Sequence, residues 1–232
     1  MSKILGVIGG LGPMATAYFY ELVVSGTEAA SDGEHIETII HSCPQIPDRT
    51  AYILDNSRPD PYPDLLRIGG ELKSLGASVI AVPCITARIF KERLQEDLGL
   101  PVIYGVDETA ERLSAAGVTR AGVMATDGSL KAGILGNVLE SHNITPVFPD
   151  EKFQKEVMGL IYDEVKAGKV PSLERFSAIR EHLKAAGAQA FILGCTELSL
   201  INRYHELPSD CFDILEVLAE ESVRYCEGNI RE

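Results

Sequence analysis

No apolar run in this 232-residue sequence approaches the ~18 residues that a helix needs to cross a bilayer, which excludes a helical membrane protein. The opening stretch has one Lys and turns glycine-rich after Leu5, so it lacks the apolar core of a secretory leader, and a cytoplasmic location is expected. A basic patch is missing too. Asp and Glu number 34 against 21 Lys and Arg, a net charge of −13, and a nucleic-acid partner is not expected. A negative surface does not steer an anion inward, so an anionic substrate would depend on a few local cations. Cysteines are few and odd in number, five in all, with no C-x-x-C pair and none near a His at metal-ligand spacing. That argues against a disulfide framework and against a metal centre.

What is present is an ordinary globular balance, 45% hydrophobic and 24% charged, patterned as alternating strands and helices. The first half reads strand 3–8, helix 16–30, strand 36–41, a proline-bearing loop 42–63, helix 64–75, strand 78–82, helix 86–98 and strand 101–104. The second half reads helix 107–116, strand 120–125, helix 130–141, strand 144–148, helices 151–167 and 172–186, strand 189–193 and a final helix 213–227. Apolar strands alternating with helices predict parallel sheets covered on both faces. The long loop is a place to look for function.

The chain also echoes itself. Gly76-Ala77-Ser78-Val79-Ile80-Ala81-Val82-Pro83-Cys84-Ile85-Thr86 resembles Gly187-Ala188-Gln189-Ala190-Phe191-Ile192-Leu193-Gly194-Cys195-Thr196-Glu197. Both leave a helix through Gly-Ala, run along an apolar strand and deliver a Cys at its carboxyl end. Residues 6–16 and 122–133 form a weaker pair. Two similar α/β halves joined near residue 104 account for both echoes. Ligands of such folds bind outside the carboxyl ends of the strands, where Cys84 and Cys195 are placed.

The glycine turn Gly10-Leu11-Gly12-Pro13-Met14-Ala15 fits G-x-G-x-x-A, but the next strand ends His41-Ser42 without the ribose-binding acid, which argues against a nicotinamide cofactor. It reads instead as an anion-binding turn at a helix N-terminus, or simply as a tight strand–helix turn. A Cys between a strand end and a helix start is a place where backbone N–H groups favour thiolate over the unperturbed value of about 8.5. The alternative is a small buried residue. Thr86, Thr196 and Glu197 follow the two cysteines and offer hydroxyl and N–H donors to a carboxylate. Arg49 is either a carboxylate clamp or a surface Arg paired with Asp48. Lys166, closing a helix, reads by itself as a dipole partner.

These residues together resemble the cofactor-independent aspartate/glutamate racemase superfamily, and its aspartate racemase branch in particular. The resemblance is carried by Gly9-Gly10-Leu11-Gly12-Pro13-Met14-Ala15-Thr16, Pro47-Asp48-Arg49-Thr50, Pro83-Cys84-Ile85-Thr86-Ala87-Arg88, Ile161-Tyr162 through Lys166-Ala167-Gly168, and Gly194-Cys195-Thr196-Glu197. It implies two doubly wound parallel-sheet domains with the active site in the cleft between them. One domain would comprise 1–103 plus 208–232, with a returning C-terminal helix, and the other 104–207. It implies Cys84 and Cys195 as paired acid and base, no cofactor or metal, a small amino-acid substrate and a homodimer. Arg49 and Lys166 become partners of the substrate carboxylates and Met14 lines the pocket. The substrate-binding set is Gly10, Met14, Arg49, Ile85, Thr86, Lys166, Thr196 and Glu197. Two positions depart from the family's Cys-Asn-Thr pattern with a His shortly after: Ile85 stands for the Asn and Arg88 for the His. Aspartate, glutamate or a related amino acid is the expected substrate. A related lyase or isomerase of a small carboxylate, or a non-catalytic binding protein of the same fold, are the competing readings.

Overall fold

The computed structural model describes residues 3–231. The chain divides into two compact units, one running to Gly105 and resuming at Leu215, the other Val106–Ile214.

The first unit is built on β1 (Leu5–Gly9), whose five residues are all buried. Burial on both faces explains why this strand is apolar throughout rather than alternating. Helix α1 (Pro13–Gly26) begins with Pro at its first turn, where the missing N–H costs nothing, and buries Ala15, Phe19 and Val23. The edge strand β2 (Thr38–Ser42) is only partly covered. The expected loop 42–63 contains a short helix, α2 (Arg49–Leu54), whose N-cap Asp48 accepts a hydrogen bond from Ala51 N at 2.8 Å. Helix α3 (Tyr62–Ser74) buries Leu65, Ile68 and Leu72 at helical spacing. Strand β3 (Val79–Ala81) leads through Cys84 into a 3₁₀ turn, Ile85–Phe90, and then α4 (Lys91–Leu98) and β4 (Val102–Ile103).

The second unit opens with α5 (Val106–Ala115) and β5 (Arg120–Met124). The single helix expected over 130–141 is two, α6 (Asp127–Lys131) and α7 (Ile134–Ser141). After β6 (Thr145–Val147), α8 (Glu151–Gly159) widens into a π-helical turn, Leu160–Val165, where one continuous helix was expected. Helix α9 (Leu173–Ala185) and β7 (Ala190–Leu193) follow. Two further elements have no counterpart in the sequence reading: α10 (Ser199–Tyr204) and β8 (Cys211–Asp213). Helix α11 (Ile214–Tyr225) carries the chain back to the first unit, where Glu28 N donates to Asn229 O and Arg231 N to Gly26 O, both at 2.9 Å.

Both sheets are four-stranded and parallel, ordered β2-β1-β3-β4 and β6-β5-β7-β8. This is the same doubly wound order twice, in agreement with the α/β class read from the sequence. In each sheet the winding reverses between the first strand and the third, and ligands of such sheets bind at that reversal. Val7 pairs with Ala81, so Gly10 and Cys84 leave the first sheet at the same level. Met124 pairs with Leu193, so Thr126 and Cys195 leave the second sheet together.

Candidate active site

In the first unit the turn after β1 is held from inside. Gly10 has φ +89°, and a Cβ there would lie 2.5 Å from the backbone of Cys43, so only glycine fits. Gly10 N donates to Thr16 Oγ1, and that hydroxyl donates to Gly12 O, each at 2.9 Å. The Gly10 N–H is thus engaged within the turn, and the residue serves close chain approach. Met14, at the start of α1, is 45% exposed.

Arg49 is buried, which removes the surface reading. Its Nη2 donates to Leu11 O at 2.7 Å, and its Nη1 donates to Pro47 O at 3.1 Å and Ile46 O at 3.4 Å. The guanidinium therefore staples the glycine turn to the segment entering α2. Cys84 follows β3, is buried, and accepts Ala87 N on its carbonyl at 3.1 Å. Ile85 and Thr86 are buried beside it. Tyr104, at the end of β4, was not singled out in the sequence. Its hydroxyl donates to Ala87 O at 3.1 Å. Burial first, then Cys84 and Glu92 nearby, push the Tyr104 phenol well above its usual range, against the opposing pull of Arg88, so it remains a donor.

In the second unit, Gly194 delivers Cys195 against β5: a Cβ on Gly194 would lie 2.9 Å from Met124 O. The thiol sits at the edge of an apolar core that includes Met124, Phe176, Leu193 and Leu198. Its Sγ donates to Glu197 Oε2 at 2.8 Å. Thr196 Oγ1 lies 3.5 Å from the same oxygen. Lys166 Nζ stands 3.9 Å from Glu197 Oε1 and 4.1 Å from the centre of the Tyr162 ring. The π turn puts it there: Lys166 N donates to Ile161 O at 3.0 Å, closing a ring one residue wider than a helical one. Burial first, then Glu197, push the Cys195 thiol well above the usual range, and Lys166 opposes them. The expectation that a strand-end Cys is held toward thiolate therefore fails at Cys195. It lies in a turn ahead of α10, where burial and the Glu197 carboxylate outweigh Lys166 and the backbone N–H of Glu197.

One further group was missed. Ser129, capped by Thr126 at the start of α6, is buried, and its Oγ has no hydrogen-bond partner among the described residues. It falls in the weaker echo, where Thr126-Asp127-Gly128-Ser129 corresponds to the glycine turn. Tyr162 also borders a pocket of about 370 Å³ with Asp127, Gln154 and Met158. Within its own unit, then, each sheet carries its candidate residues at the carboxyl edge. Gly10, Arg49, Cys84, Ile85 and Thr86 belong to one, and Lys166, Cys195, Thr196 and Glu197 to the other. Among the described residues no three His, Cys, Asp or Glu side chains gather as a metal site, and no helix is long and apolar enough to cross a membrane.

Comparison with known proteins bears on the fold and the family. A broad specificity amino-acid racemase, RacX of Bacillus subtilis, is 26% identical over 231 residues, covering 94% of this chain and 96% of its own. The structure of Picrophilus torridus aspartate racemase superposes with a TM-score of 0.80 at 27% identity, over 99% of this chain and 96% of that one. A putative Asp/Glu racemase from Yersinia pestis gives 0.78 at 26% identity, over 97% and 99%. The sequence pattern of the Asp/Glu/Hydantoin racemase family matches residues 8–221. With nearly its whole length matched, the chain belongs to that family of isomerases.

Proposed function

We propose that this protein inverts an acidic amino acid at its α-carbon, with Cys84 and Cys195 as the two proton-transfer groups. The reading is carried by one observation: two sheets of identical strand order each deliver a buried Cys at the point where the winding reverses. Stereoinversion needs a base on one side of Cα and an acid on the other. One thiolate takes the α-proton, and the other thiol returns a proton to the opposite face.

The difficulty is the weak acidity of the α-carbon. Donors aimed at the α-carboxylate stabilise the charge that develops there. The hydroxyls of Thr86, Thr196 and Ser129 are suited to this. Lys166 is the cation suited to a side-chain carboxylate, and in a chain of net charge −13 such a local cation is what captures an anion. Arg49 supports the site by fixing the turn through its three carbonyl bonds. Broad-specificity RacX and an aspartate racemase are the relatives that frame the substrate class. The dimer implied by the family resemblance belongs to the same proposal, and sedimentation reads it.

The test is chiral inversion across a panel of amino acids, with α-proton exchange in heavy water followed by NMR. Inversion of aspartate, glutamate or a near relative is expected. Binding without exchange would instead identify a non-catalytic binding protein.

A further inference from the structure

We infer that Glu197 is the positioning residue for the proton of Cys195: its carboxylate holds Cys195 as the thiol in the free protein, so that Cys195 begins as proton donor and Cys84 as base. The inference rests on the racemase reading for its use, but its geometry stands independently of it. The Cys195 Sγ and Glu197 Oε2 are 2.8 Å apart, and both residues are at least nine-tenths buried. Removing the thiol proton would leave two anions at that distance with little solvent to screen them. Lys166 faces the other carboxylate oxygen at 3.9 Å, too long for a hydrogen bond, so it tempers the pair without replacing the thiol as donor. The groups facing Cys195 are thus Glu197, through its carboxylate and its backbone N–H, Thr196 and Lys166, and the direction of its shift follows from burial and the carboxylate outweighing the lysine and the N–H. The echoed position beside Cys84 is the neutral Thr86, so the asymmetry is written into the sequence.

The steps balance without any further reactant. Cys84 thiolate takes the α-proton, and the electron pair left on Cα is delocalised into the α-carboxylate. Cys195 S–H gives its proton to the opposite face of Cα, leaving a thiolate beside Glu197 while Cys84 is now the thiol. Water returns a proton to Cys195 and removes one from Cys84, restoring the starting form. A thiol held in this way is a weak acid by thiol standards yet far stronger than an amino-acid α-carbon. In the reverse direction its thiolate is a correspondingly stronger base.

The experiment is a titration of thiolate ultraviolet absorbance in the full chain, taking the difference between wild type and Cys195→Ser to isolate Cys195. The same difference is measured in a Glu197→Gln and a Glu197→Asp background. The wild-type midpoint should lie above the ordinary value of about 8.5. Glu197→Gln should lower it by at least one pH unit, Glu197→Asp should keep it raised, and the basic limb of the kcat/KM profile should move with it. A wild-type midpoint at or below the ordinary value, or one unmoved by Glu197→Gln, overturns the inference. If Glu197→Gln does not fold, Glu197→Thr, the residue type of the echoed position, replaces it in the same comparison. The titration needs no substrate, so a raised, Glu197-dependent midpoint in a protein that exchanges no α-proton would keep the pair and reject the racemase reading.

Discussion

Cys84 and Cys195 occupy the same place in two sheets of the same order, yet their surroundings differ in charge. Cys84 enters a 3₁₀ turn at once and lies near the phenol of Tyr104, on which the cationic Arg88 and the anionic Glu92 also act. Cys195 enters a turn that Leu198 N closes on its carbonyl at 2.9 Å, and it donates to a carboxylate two residues on. Topology decides where each thiol stands. The three or four residues after it, Ile-Thr-Ala-Arg in one case and Thr-Glu-Leu-Ser in the other, decide what charge it meets. The two thiols are thus alike in place and differ in the groups they meet.

The comparison breaks most severely when either thiol is removed. Cys84→Ala and Cys195→Ala should each lower racemisation by about 10²–10⁴-fold or more while leaving the circular-dichroism spectrum near wild type. Near-wild-type turnover in either variant would end the paired-thiol mechanism.

Lys166→Ala comes next, and it sharpens the contrast because only the second unit sets a cation beside its thiol through a carboxylate. Losing a charge-assisted hydrogen bond costs about 1.5–3 kcal/mol, so KM for a dicarboxylic substrate should rise roughly ten- to a hundredfold. KM for a neutral amino acid should stay nearly unchanged. An equal rise for both would show that Lys166 does not recognise the side-chain carboxylate.

Arg49→Ala should act on the fold of the first unit. The loss of a buried guanidinium that ties Leu11, Ile46 and Pro47 together should lower unfolding stability by about 1.5–3 kcal/mol, read from the urea midpoint. Unchanged stability with a raised KM would instead return Arg49 to the role of carboxylate clamp.

The smallest expected effect concerns Ile85, the apolar residue beside Cys84. It is buried, and a site that hydrogen-bonds a polar group rejects analogues better than an apolar wall does. Ile85→Asn, best combined with Arg88→His, should raise aspartate turnover with an unchanged thermal midpoint. A fall in that midpoint with no gain in turnover would place Ile85 in the helix–sheet core.

Much of this was legible in the sequence because it depends on local pattern. Apolar strands ending in Gly-Gly, Pro-Cys or Gly-Cys marked the sheet edges, and the Gly-Ala…Cys repeat marked the two corresponding thiols. Other features were hidden because they depend on the folded neighbourhood. The π turn at Leu160–Val165 has the same apolar spacing as a helix, and the wider ring that places Lys166 appears only in its backbone. Arg49 reads either as a carboxylate clamp or as a surface charge, because its carbonyl bonds, one of them to Leu11 far away in sequence, leave no local pattern. Strand β8 is three residues long and gains its partner only through β7, beyond the reach of any pattern. The Cys195–Glu197 bond could have been suspected from a Cys two residues before an acid. That the acid turns back to the thiol depends on the turn that Leu198 N closes on the Cys195 carbonyl.

The most direct test of the paired-thiol mechanism is the fate of label at early conversion, starting from one enantiomer in heavy water. With one thiol on each side of Cα, the first product formed should carry deuterium at Cα while the recovered substrate stays protonated. Product that retains the original proton, or label appearing equally in both enantiomers from the start, would mean that a single group serves both faces and would contradict the assignment of Cys84 and Cys195 as a pair.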